Sequence, residues 1–66
     1  MPPPEADEVA AGAAFEQGNA LLGERRYADA ALCFERAAAL RPGFVEAYNN
    51  LGFVLQATNR GEESLA

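Results

Sequence analysis

Apolar side chains recur at three- and four-residue spacing in three blocks of this chain, and turn-forming residues separate the blocks. The middle block is the clearest. Tyr27, Ala30, Ala31, Phe34, Ala37 and Ala38 fall on one helical stripe, with Asp29, Glu35 and Arg36 off it, which predicts a helix over Tyr27–Leu40. Pro42-Gly43 then forces a reversal, because proline disfavours helix at Arg41 and glycine permits the turn. A third helix follows over about residues 44–58. Its inward stripe would be Tyr48, Leu51, Gly52, Val54 and Leu55, with Asn49, Asn50, Phe53 and Gln56 on or near another face. The first block predicts a helix capped at or near Asp7 and running to about Glu24, with Pro2 to Pro4 extended ahead of it. Arg25 and Arg26 sit at the first turn, where cations suit a helix C-terminus. Gly18 interrupts a helix interior at a cost of about 1 kcal/mol relative to Ala. The expected compensation is close approach of the next helix, and Gly52 repeats the device. Asn59-Arg60-Gly61 reads as a turn, after which residues 62–66 would begin a fourth helix too short to be stable alone. The fold class is all-α, built of antiparallel helical hairpins.

Shifting the sequence against itself by thirty-four residues superposes Gly18 on Gly52, Leu21 on Leu55, Ala13 on Ala47, Arg26 on Arg60 and Asp29 on Glu63. That period, with the Ala30-x-x-x-Phe34-x-x-Ala37 run, Pro42-Gly43 and Tyr48-x-x-Leu51-Gly52-x-x-Leu55, resembles the tetratricopeptide repeat. The resemblance divides the chain into a lead over residues 1–10, a complete repeat over 11–44 and a truncated second repeat over 45–66. It implies three helices plus a C-terminal stub, about one and a half repeats. It also implies a concave groove, lined by the first helix of each repeat, that holds an extended peptide. The groove residues would be Phe15, Glu16, Asn19 and Leu22 from the first repeat, and Asn49, Asn50, Phe53 and Gln56 from the second. An Asn amide offers a donor and an acceptor together, so Asn50 can engage both polar groups of one peptide unit. The plainer readings stay open: Asn49 and Asn50 as solvated positions, Phe15 and Phe53 as core residues or contacts with a second copy of the chain.

Two branches of the family compete. Glu16-Gln17-Gly18-Asn19 is similar to the carboxylate-clamp repeats that hold chaperone tails, with Asn19 and Asn50 at clamp positions. Phe15 stands where those clamps carry a cation, and the chain has no Lys. Ala47-Tyr48-Asn49-Asn50-Leu51-Gly52 is similar to the repeats ahead of the catalytic domain of O-linked N-acetylglucosamine transferases, whose asparagine ladder is broken here by Glu16.

Composition narrows the function classes. The net charge of −5 comes from ten acids against five Arg, which disfavours nucleic acid and anionic membranes as partners. With no His, one Cys and no Gly-rich phosphate loop, the groups for nucleophilic, metal and phosphoryl chemistry are missing, so neither an enzyme nor a cofactor is expected. Cys33 reads as a small, partly buried residue of the second helix. The acidic, proline-rich start is unlike a secretory signal, so a cytoplasmic location is expected. Half the residues are apolar, but many are Ala, and Trp and Ile are absent, so the core is thin. The third helix would then expose Tyr48, Leu51 and Leu55, joined by Leu65, as contacts in a homo-oligomer. The function expected is a protein–protein interaction module. The alternatives are a structural self-assembly element, or the non-catalytic front of a larger protein such as a glycosyltransferase with these repeats.

Overall fold

The computed structural model describes residues 4–65, and the side-chain surroundings of residues 6–58. Three α-helices follow one another, α1 (Pro4–Gly23), α2 (Tyr27–Leu40) and α3 (Val45–Leu65), with no strand among the described residues. Each connection is short enough to turn the next helix back beside its predecessor. α2 packs against both α1 and α3, and all three helices contribute to a shared core.

The α1–α2 connection ends the first helix in a Schellman arrangement. Arg26 N–H reaches back to Leu21 O at 2.9 Å and Arg25 N–H to Leu22 O at 3.0 Å. The geometry requires a left-handed residue at Arg25, whose φ is 63° although it carries a full side chain. The α2–α3 connection is built as expected from Pro42-Gly43. Arg41, ahead of the proline, leaves the helical region at φ −134° and ψ 89°, and its N–H still donates to Ala37 O. Phe44 N–H then donates to Arg41 O at 3.1 Å across Pro42 and Gly43, whose φ is 91°, the pattern of a type II turn.

Two small clusters make the core. One joins Ala14, Ala37, Ala38 and Ala47, with Phe15 and Phe44 against it. The other joins Ala30, Phe34 and Val54, with Leu21, Leu22, Tyr27 and Leu51 among its neighbours. Phe34 and Val54 are the largest fully buried side chains. Alanine-rich contact lets the helices approach closely, and Gly18 lets them approach closer still. A Cβ placed on Gly18 would lie 2.6 Å from Phe34 Cε1, so the absent side chain is what seats the Phe34 ring.

Several expectations need correction. α1 begins at Pro4 instead of near Asp7, since proline suits a first helical position where its missing N–H costs nothing. The break expected at Asn59-Arg60-Gly61 does not occur: α3 runs unbroken to Leu65, so there is no separate stub helix. Asn and Gly lower helix propensity but remove no backbone donor, and without a proline the helix passes through them. Gly52 does not repeat the packing of Gly18, as nothing among the described residues lies within 4 Å of its would-be Cβ. On α3, Val54 and half-buried Leu51 turn inward, whereas Tyr48, Gly52 and Leu55 turn outward. The expected extension of Pro2 and Pro3 falls outside the described residues.

Candidate functional site

α1 and α3 run in the same direction, because each is antiparallel to α2, and they touch each other as well as packing on it. Their matching faces carry the predicted groove residues. Asn50 Nδ2 on α3 donates to Asn19 Oδ1 on α1 at 2.8 Å, although the two residues are far apart in sequence. The bond joins the two amides into one unit and commits one polar atom of each. Asn50 Oδ1 remains as an acceptor, and Asn19 Nδ2 remains as a donor. Phe53 lies one helical turn beyond Asn50 on α3 and is 59% exposed; Asn49 and Gln56 on the same helix, and Glu16 on α1, are exposed too. An extended chain laid along this face would meet a paired donor and acceptor next to a bare aromatic ring.

Phe15 and Leu22 have a different place. Phe15 is half-buried, with its ring centroid 5.8 Å from that of Phe34 and 5.0 Å from that of Phe44. Leu22 is half-buried against the cluster that contains Phe34 and Val54. Both side chains therefore help to form the seam between the helices, and the open part of the groove is made chiefly by α3. Of the core and groove readings of the two phenylalanines, Phe15 takes the first and Phe53 does not.

The residues expected at a contact between chains also separate. Tyr48 and Leu55 are 52% and 49% exposed on the outer face of α3, whereas Leu51 is half-buried against the Phe34 cluster. The side chain of Leu65 lies outside the described residues.

Sequence reasoning missed two features. Val45, at the start of α3, is 64% exposed on the same outer face as Tyr48. It could have been found by extending the thirty-four-residue shift, which places Ala11 on Val45 and Ala14 on Tyr48. The second feature is an open groove of about 870 Å³ on the other side of the α1–α2 hairpin, with Leu21, Leu32, Cys33 and Leu40 in its lining. Cys33 is half-buried there as a free thiol.

No set of three or more potential metal ligands occurs among the described residues, and no helix among them is long and apolar enough to cross a membrane. Neither the curated proteins nor the solved structures contain a match to the chain. A family model, the tetratricopeptide repeat, matches residues 11–44. That match covers the helical hairpin in which Gly18 seats Phe34, together with the Pro42-Gly43 turn that closes it. Repeats of this kind generally serve as protein–protein interaction modules. With more than half of its length matched and an all-helical hairpin fold, the chain belongs to the tetratricopeptide repeat family.

Proposed function

We propose that the chain is a protein–protein interaction module that holds an extended segment of a partner protein along the face shared by α1 and α3, and that it also self-associates. It acts by binding, without catalysis or a cofactor, in the cytoplasm. Its acidic charge keeps it from nucleic acid and anionic membranes. The observation that carries the reading is the Asn19–Asn50 hydrogen bond, which holds a free acceptor and a free donor side by side on the open face. Each hydrogen bond to a peptide contributes only about 1 kcal/mol net, so the exposed ring of Phe53 supplies an apolar anchor beside them.

The test is a peptide-display screen against the whole chain, with ligands titrated by calorimetry against Asn19→Ala/Asn50→Ala and Phe53→Ala variants. Weakening by about tenfold or more with an unchanged oligomeric state supports peptide recognition. No ligand from the screen, together with an oligomeric state that changes in Tyr48→Ala and Leu55→Ala variants and not in the groove variants, favours the structural self-assembly reading. The exposed outer face of α3 is the observation behind that second reading, since it offers apolar surface without groups that recognise a peptide backbone. In a longer protein, such as a glycosyltransferase bearing these repeats, the same groove would act as a non-catalytic docking segment.

A further inference from the structure

The thirty-four-residue period puts Val45, Tyr48, Gly52 and Leu55 of α3 in the places of Ala11, Ala14, Gly18 and Leu21 of α1. On α1 that stripe lies under α2: Ala11, Ala14 and Gly18 are buried and Leu21 is half-buried. On α3 all four residues are exposed. The molecule thus carries the same face twice, once covered and once bare among the described residues.

The covered copy shows what fits. An aromatic ring from an antiparallel helix fills the notch at Gly18. At Gly52 the notch is open, and α3 carries its own aromatic residue, Tyr48, four places earlier on the same face. This spacing is self-complementary. A two-fold axis at the level of residue 50 sets Tyr48 of one helix opposite Gly52 of the other, and Val45 opposite Leu55. A parallel pair would instead set Tyr48 on Tyr48 and leave the two glycines facing across a gap.

Charge points the same way. The last turn of α3 has no basic residue, and the sequence places Glu62 and Glu63 there, at the negative end of the helix dipole. The leading end of α3 is positive by its dipole and is preceded by Arg41, which is exposed. Glu46 in the first turn lies on another side of the helix, about 140° around from this face. Antiparallel pairing carries each acidic end past the partner's leading end to the turn that holds Arg41.

We propose that a second copy of this chain covers the outer face of α3 as a two-fold antiparallel helix pair, with Tyr48 of each copy seated over Gly52 of the other. The proposal rests on the self-association reading above and supplies its surface and register. The interface is isologous and closed, so it makes a dimer and leaves the Asn19–Asn50 face free.

The test combines sedimentation of the full chain with cysteine cross-linking in a Cys33→Ser background. Residues 45 and 55 are about 15 Å apart along one helix, too far for a disulfide within a chain. The expected result is a dimer in which Val45→Cys and Leu55→Cys chains, mixed and oxidised, form the mixed disulfide in preference to either homodisulfide. Gly52→Ala should weaken the dimer by about tenfold or more, because the added methyl fills both notches. The dilute monomer should lose no thermal stability, because the methyl meets nothing there. A monomer at every concentration would overturn both this proposal and self-association. A dimer that favours Val45→Cys homodisulfides, or one indifferent to Gly52→Ala, would overturn the register alone.

Discussion

Gly18 and Arg25 show how far single residues set the stability of this hairpin, and in opposite directions. The Phe34 ring over Gly18 is fully buried, with three of its atoms between 2.6 and 2.9 Å from a would-be Cβ, so it has nowhere to retreat. Overpacking of this kind costs about 1–3 kcal/mol, against about 1 kcal/mol gained in helix propensity. Gly18→Ala should therefore lower the thermal midpoint by several degrees, measured by circular dichroism. Arg25 is the reverse case, as its φ of 63° is one that glycine adopts without strain. Arg25→Gly should raise stability by about 0.5–1 kcal/mol in chemical denaturation, with Arg25→Ala as a control that brings no comparable gain. The role of Gly18 was legible in the sequence because a glycine inside a helix demands a packing reason. The strain at Arg25 was not, because the usual sign of a left-handed terminus is Gly or Asn and arginine gives none.

Among the elements, legibility follows the strength of the local signal. α2 could be read to both ends, since its apolar stripe is regular and Pro42 stops it. α1 was harder to bound, because an alanine-rich segment looks much the same on every side and Pro4 could belong to the lead or to the first turn. α3 was read too short because Asn59 and Gly61 are weak breakers, whereas Pro42 is a strong one. The candidate groove positions came from the resemblance to the tetratricopeptide repeat, with the thirty-four-residue period setting only their register. What the period could not give was the allocation of side chains. Phe15 and Leu22 are drawn into the seam by Phe34, Phe44 and Val54, contacts that depend on how three helices meet. The Asn19–Asn50 bond is likewise a product of packing, made between helices that are not consecutive in the chain.

The whole molecule is longer than a compact chain of its size. Its radius of gyration is 12.9 Å, where about 11 Å is usual, and its longest extent is 48 Å. The cause lies in the helix ends: allowing for the repeat period, α1 begins about two turns before α3 does, and α3 ends about two turns later than α1. A chain of this size buries only about 60% of its unfolded surface even when compact, and the core here is two clusters of mostly small side chains. Cover from a second copy would therefore form a large part of what holds the chain folded. Because a partner that binds only the folded state raises the unfolding midpoint by mass action, the midpoint should climb by several degrees over about a hundredfold rise in chain concentration. Gly52→Ala should flatten that slope, since it obstructs association and leaves the single chain unstrained. Scanning calorimetry at several concentrations measures both slopes. A wild-type midpoint that stays fixed would mean that Val45, Tyr48 and Leu55 remain in water in the stable form, and that the three helices hold together on their small core alone.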